Sequence, residues 1–430
     1  MNLVRGMRLP SVLVVAVCYC IAAVPFQDYL MIGGLSHSQL STATLFIALI
    51  VHWGLHRSMP GVPDVTLWAR LVVMTALVIA TAFSGYSWQS GVDEIRRWGL
   101  ALLVGYLVAV APQSRRDVHA ILIVLCLAPI GAALYALIQS LRGIGPAAFV
   151  IAGTGLTRAN GTIGQPNSFA GYINSAWPLI AALTFWGHMQ RHRWRWYLTA
   201  GLGVCGIVLV FSFSRGGWLG AAVGLCTMLV LTGGGWRRGA LVVLISALLV
   251  FAGGWRLIPG PFGARLGSAT QIFSAPLIAR DAAQQRPDVY AAVERAMQFQ
   301  AGIEMWRRSP LSGIGPGNYT RAYPDVAYNG WWISRGHAHN AYVQIAAEQG
   351  FIGLIAYLYL LWVSTVRAFR LHTQAGLLRF AAIGLCATAA AVAGHELFEY
   401  LQVNYLPVHM AAVMGLAGSL PRLVDAEDRI

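Results

Sequence analysis

The chain contains no lysine, so all thirty of its basic residues are arginine. Charge of either sign is scarce, with 11% of the 430 residues charged against 57% hydrophobic and a mean hydropathy of +0.60. So few charges cannot cover a soluble globular domain, and that class is excluded. The six cysteines (Cys18, Cys20, Cys126, Cys205, Cys226 and Cys386) lack the paired spacing of a metal site or of a secreted disulfide framework. They read as small apolar packing residues.

What the chain does have is long apolar runs. A helix needs about 20 apolar residues to cross a hydrocarbon core roughly 30 Å thick. By that measure the sequence predicts an all-α polytopic membrane protein of about twelve transmembrane helices. The spans fall near 10–32, 38–55, 66–86, 94–112, 117–140, 167–187, 194–213, 216–232, 238–258, 340–367, 377–397 and 402–420. The first follows only two arginines and has no small-residue cleavage site, so it reads as a retained span. Residues 1–258 thus hold transmembrane helices 1–9, 259–339 form one large loop region with short helices, and 340–430 hold helices 10–12 and a short tail.

A net charge of +14 and a pI near 9.9 raise the question of nucleic acid. Arginine placement answers it. Alternate loops collect Arg57 and Arg70, then Arg115 and Arg116, then Arg191, Arg193 and Arg195, then Arg237 and Arg238, then Arg367, Arg370 and Arg379. Short cytoplasmic loops gather positive charge, so these loops and both termini are expected in the cytoplasm. The connections at 87–93, 141–166, 213–216, 259–339 and 398–402 then face outside. Topology accounts for most of the charge, and no nucleic-acid partner is expected.

The outward side holds what topology does not explain. Arg158 precedes Gly161, Gly164 and Pro166-Asn167-Ser168, where Asn or Ser could cap a helix or meet an anionic ligand. Arg215 interrupts two apolar runs in Ser212-Phe213-Ser214-Arg215-Gly216-Gly217. A charge at that depth is costly unless it is paired or lines a polar cavity, so it is read as functional, with snorkelling to the interface as the alternative. In the large loop, Met297, Ala301, Met305 and Trp306 form one face of an amphipathic helix expected at the membrane surface. Pro310 ends that helix. The glycine-rich run Gly313-Ile314-Gly315-Pro316-Gly317-Asn318 does not have P-loop spacing and reads as a turn.

Two histidines, His337 and His339, then precede Asn340, with Glu348 eight residues further on. They share one side of an extended loop, which permits metal ligation, but no cysteine or third-ligand spacing accompanies them. His395-Glu396-Leu397-Phe398-Glu399 lacks the second histidine of a zinc-peptidase signature, so that reading is rejected. Its ionisable groups could complete a polar cavity or pair with an arginine.

The spacing from His339-Asn340 to Gly350-Phe351-Ile352-Gly353 resembles the O-antigen ligase and polymerase superfamily of bacterial envelope glycan transferases. Glu348, Ser214-Arg215-Gly216-Gly217, Arg295 upstream of the glycine-rich turn, and the run from Arg158 to Asn167 add to the likeness, which covers about residues 158–355. Phe299 stands where members often carry tryptophan.

The resemblance implies a GT-C-like glycosyltransferase of the bacterial inner membrane with a periplasmic site. Its donor would be O-antigen on undecaprenyl pyrophosphate, its acceptor lipid A-core oligosaccharide, with inversion at the donor sugar and neither a metal nor another cofactor. Such a donor asks for guanidinium groups on its pyrophosphate, with Arg215 and Arg295 first, Arg158 next, and Asn167 beside them. The acceptor hydroxyl asks for a base, His339 by its family position or His337. Asn340, Glu348, Glu396 and Glu399 would support them. O-antigen polymerase and protein O-oligosaccharyltransferase stay open as rivals. A non-catalytic lipid transporter would want charges deep in several spans and inverted repeats, which the chain lacks.

Overall fold

A computed structural model describes residues 11–27, 31–57, 65–151, 153–270, 279–284, 287–328 and 330–423. Among them the regular structure is helical, apart from a two-residue antiparallel ladder between Met31–Ile32 and Leu35–Ser36 and an isolated antiparallel bridge between Val150 and Thr157. The first half holds α1 (Val12–Ala23), α2 (His37–His56), α3 (Val65–Ala82), α4 (Trp88–Val110), α5 (Arg115–Leu141), α6 (Pro166–Asn174), α7 (Trp177–Met189) and α8 (Arg195–Phe211). After these come α9 (Arg215–Thr232), α10 (Trp236–Phe251), α11 (Gly260–Thr270), α12 (Arg280–Gln284), α13 (Pro287–Arg308) and α14 (Tyr319–Val326). The chain closes with α15 (Ala341–Phe369), α16 (Gly376–Glu396) and α17 (Leu406–Leu416).

Five of these, α2, α5, α9, α15 and α16, are long and apolar enough to cross a membrane, while α1, α3, α8 and α17 are apolar but shorter. Large apolar side chains stay exposed along them, such as Ile47 and Ile50 on α2, Leu134 on α5 and Ile355 and Trp362 on α15. This is a polytopic membrane protein. The most enclosed of the five is α16, two thirds (67%) buried. Its face of Leu378, Ala381, Ala382, Leu385 and Val392 packs into the main apolar core.

One expected span is broken. Residues 167–187 form α6 and α7 rather than one helix. Pro178 has no N–H to offer and its ring crowds the carbonyl four residues back, so the helix cannot run through. At the break the Ser175 hydroxyl donates to Tyr172 O at 2.7 Å. Two further expected spans, 238–258 and 402–420, are also shorter than the hydropathy suggests, α10 ending at Phe251 and α17 covering Leu406–Leu416.

The glycine-rich turn is a structural joint. Gly350 breaks α15 with φ +66 and ψ −166, and a Cβ there would lie 2.1 Å from Leu311 O. The backbone groups freed at the break pair with the turn: Ile314 N donates to Ala347 O at 2.9 Å, Gly315 N to Glu348 O at 3.0 Å, and Phe351 N to Pro310 O at 2.8 Å. Those amides are therefore taken and do not form a phosphate cradle.

The amphipathic face of α13 is present, but it faces protein rather than the membrane surface. Met297 packs with Ala283, Val293 and Trp331, and Ala301 and Met305 pack with Tyr319, Tyr323, Ala338 and Ala347. The Trp306 ring stands edge-on to Phe351 with centroids 4.8 Å apart. This docking brings α13 alongside the start of α15.

Candidate active site

The loop before α15 is held at several points. The guanidinium of Arg335 donates to the Glu294 carboxylate of α13 at 2.8 and 2.6 Å. Gln298, one turn on, accepts from Arg335 N at 3.1 Å and donates to Ile333 O at 3.1 Å. Gln344 accepts from Ala338 N at 2.8 Å. Asn340 caps α15, accepting from Val343 N at 2.9 Å, while its amide nitrogen donates to Leu397 O at 3.0 Å. Between these anchors His339 takes a left-handed backbone, φ +52. Non-glycine residues held there by their surroundings concentrate at functional sites.

The two histidines converge on one carboxylate. His339 Nδ1 lies 3.1 Å from Glu399 Oε1 and His337 Nε2 lies 3.3 Å from the same oxygen. The hydrogen-bond network assigns the tautomers. His339 N donates to His337 Nδ1 at 3.2 Å, so Nδ1 of His337 is bare and its proton sits on Nε2, toward Glu399. His339 points Nδ1–H at Glu399, so its Nε2 is the nitrogen turned away from that carboxylate.

Burial pushes His337 down to about 4, although Glu399 pulls it up, so its ring is neutral. Burial would raise the Glu399 carboxyl, but His339, His337 and Arg295 more than offset this and hold it well below the usual range. It is a carboxylate at neutral pH.

Glu399 leads on to the arginines. Asn167 donates to Glu399 Oε2 at 2.6 Å and accepts from Arg158 at 3.1 Å. It therefore does not cap α6, whose N-cap is Gln165 with no side-chain cap bond. Arg158 also donates to Ser212 O at 2.8 Å, and Arg265 of α11 donates to Phe213 O at 2.9 Å. Phe213 is left-handed, φ +51, and its ring packs tilted against Phe262 of α11, with centroids 4.6 Å apart. One strained turn thus gathers guanidiniums from two separate segments.

Arg215, the first residue of α9, is buried and lies within electrostatic reach of Arg265, Arg295 and Arg158. Burial, followed by Arg265 and Arg295, pushes Arg158 down to about 9, with Glu399 acting the other way. Burial and Arg295 push Arg265 to about 10. Four guanidiniums from four segments share one region, an arrangement that an added multivalent anion stabilises.

Two of the expected supporting residues lie elsewhere. Glu348 accepts from Tyr319 N at 3.0 Å and buttresses the glycine-rich turn near Glu94 and Arg97. Glu396 accepts from Tyr357 at 2.6 Å and from Gln402 at 2.7 Å, deep between helices. The helix ends between Glu396 and Glu399, so the two carboxylates turn to different neighbours.

Arg265 is the residue that sequence reasoning passed over. Its signal was the one that marked Arg158 and Arg215, an arginine on the side where topology does not call for positive charge. Glu399 also supplies what the histidine spacing did not announce, a third potential ligand, with the ligand atoms of His337, His339 and Glu399 all within 4.8 Å of one another. The four nearby guanidiniums work against a divalent cation there.

No significant match is found among curated proteins. Residues 200–358, which hold Arg215, Arg265, Arg295, His337 and His339, match the family model described as O-antigen ligase.

Proposed function

We propose that the chain is an inner-membrane glycosyltransferase of the O-antigen ligase type. It moves O-antigen polysaccharide from undecaprenyl pyrophosphate to a sugar hydroxyl of lipid A-core oligosaccharide, with inversion. The observation that carries this reading is the continuous path His339–Glu399–Asn167–Arg158, which joins a free imidazole nitrogen to a group of guanidiniums. A base and an anion site held in one frame are what transfer from a diphosphate-linked sugar requires.

In this mechanism Nε2 of His339 takes the proton of the acceptor hydroxyl. The oxygen attacks the anomeric carbon from the face opposite the diphosphate, and the bond to the diphosphate oxygen breaks with its electrons leaving on phosphate. Glu399 holds the Nδ1–H tautomer and stabilises the imidazolium that forms. Arg158, Arg215, Arg265 and Arg295 take up the charge developing on the leaving group through paired planar donors. No step needs a metal ion.

On this reading the chain crosses the membrane about twelve times, both termini are cytoplasmic, and the turn bearing Arg215 and residues 259–339 are periplasmic.

The test is reconstitution of the purified protein with lipid-linked O-antigen and lipid A-core. Sugar on the core supports ligase activity. Sugar on a second donor-linked glycan would make the protein a polymerase, sugar on protein an oligosaccharyltransferase. Movement of labelled donor across the bilayer without a new glycosidic bond would replace catalysis by transport.

A further inference from the structure

His395 opens the run His395-Glu396-Leu397-Phe398-Glu399, of which the proposed mechanism uses only Glu399. It is the penultimate residue of α16 and is wholly buried. Its Nδ1 lies 3.3 Å from Asn174 Nδ2 on α6, and its Nε2 lies 3.4 Å from Ser214 Oγ. Asn174 also donates to Gly217 O at 2.9 Å and accepts from Trp177 Nε1 at 2.9 Å. An amide nitrogen only donates, so Nδ1 of His395 accepts and its proton sits on Nε2, toward Ser214. Ser214 is the N-cap of α9, its hydroxyl oxygen accepting from Gly217 N at 3.1 Å.

This contact depends on a missing side chain. A Cβ on Gly216 would lie 2.7 Å from His395 Cδ2 and 2.9 Å from Phe398 Cβ. Glycine lets the imidazole rest directly on the first turn of α9, the turn that begins with Arg215. Beyond His395 the chain runs through Leu397, whose carbonyl is tied to Asn340, to Glu399. At its other end α6 carries Asn167. One imidazole therefore pins three elements whose ends deliver Arg215, Asn167 and Glu399.

We propose that His395 is a positioning residue for glycosyl transfer, holding Arg215 in register with Glu399 so that the donor diphosphate and the base meet one sugar. The inference rests on the transfer reading above. A buried histidine that served packing alone would affect the amount of folded protein and leave the kinetics of the folded fraction unchanged.

The experiment uses the full-length protein in detergent, with His395→Leu, His395→Gln and Ser214→Ala. Donor and acceptor dependence of transfer are measured per mole of monodisperse protein, and binding of farnesyl diphosphate, as a probe, is measured alongside. A displacement of about 1 Å in a positioned group costs on the order of 100-fold. Accordingly His395→Leu is expected to lower kcat/KM for the donor by about 10- to 100-fold, with acceptor KM unchanged and probe binding weakened. Glutamine can still offer an N–H to Ser214, so His395→Gln should recover most of the loss, and Ser214→Ala should resemble the leucine variant.

Equal donor kinetics and equal probe binding for parent and His395→Leu overturn the inference. So does a leucine variant whose folded fraction behaves like the parent. A parent that binds the probe but transfers no sugar overturns the transfer reading, and the binding comparison then decides whether His395 still positions Arg215. A parent that neither binds nor transfers overturns both.

Discussion

The backbone N–H of His339 donates to Nδ1 of His337 at 3.2 Å, which leaves His337 no basic nitrogen to offer a hydroxyl. Two histidines that look interchangeable two positions apart thereby differ, and on the proposed mechanism His339 is the base and His337 its support. Replacing His339 by alanine should lower transfer by about 10²- to 10⁴-fold, the range of a general base. His337→Ala should cost less, about 10-fold, because it loosens the left-handed backbone of His339 without removing the base. Initial rates of the two purified variants decide this, and a more damaged His337 variant would reverse the assignment.

The carboxylate behind the base can be tested without changing its shape. Glu399→Gln keeps the volume but removes the charge that faces an imidazolium, and its amide can present the wrong group to Nδ1–H. Losses near 10⁴ are known for such a change in a histidine-based triad, and about 100-fold or more is expected here. Glu396→Gln, in its separate network with Tyr357 and Gln402, should leave kcat within a few-fold. A strong effect at Glu396 and none at Glu399 would mean that the acid has been misassigned.

These two glutamates also mark what was legible in the chain. The pairing of His339-Asn340 with Gly350 and Gly353, and an arginine at 215 where topology did not call for one, could be read directly, because each breaks the rules of an apolar span. That Glu399 rather than Glu396 meets the histidines could not, since it depends on α16 ending between them. Pro178 was in view, but a hydropathy window averages over one proline, so α6 and α7 read as one span. The apolar face of α13 was legible and its partner was not, because amphipathicity states that a face is covered without saying by what. Arg265 carried the same signal as Arg158 and Arg215, but its partner was hidden by distance, since nothing local in Gly260–Thr270 points to the carbonyl of Phe213.

Acid should destabilise the protein in two separable windows. His337 has a folded pKa lowered to about 4 from an ordinary 6.5, so the unfolded chain binds more protons between those values and stability falls as pH drops from 6.5 to 4. The loss is about 3 kcal/mol at most. Glu399, held below the carboxylate range, contributes stability that is present above about pH 4 and lost as pH falls further. Melting in detergent from pH 7 to 4 should therefore fall for the parent and less for His337→Asn. Parallel curves would remove His337 as the source.

Guanidiniums that grip a diphosphate should act on the donor and not on the acceptor. A hydrogen bond to a charged group contributes about 1.5–3 kcal/mol, so Arg265→Gln and Arg295→Gln should each raise donor KM by roughly 10- to 100-fold. Lysine at either position keeps the charge but not the planar fork and should recover only part of the loss. Arg256 lies exposed, stacked on Trp255 at 5.3 Å, and Arg256→Gln should behave as the parent. Donor KM unchanged in Arg265→Gln would take Arg265 out of the site.

The three side chains proposed to make the base could instead hold a cation, and chelation separates the two uses. Ligand atoms of His337, His339 and Glu399 lie within 4.8 Å of one another, a spacing that a metal could draw together. Binding it would displace the Nδ1–H of His339 from Glu399 and the Nε2–H of His337, and would set a dication beside Arg158, Arg215, Arg265 and Arg295. The proton-bearing arrangement instead leaves His339 Nε2 free as a base and the local field suited to an anion. Transfer rates should therefore survive exhaustive treatment with EDTA, in the parent and in Arg265→Gln alike. Activity lost to the chelator and restored by one divalent ion would turn His337, His339 and Glu399 into a metal centre and move the base elsewhere.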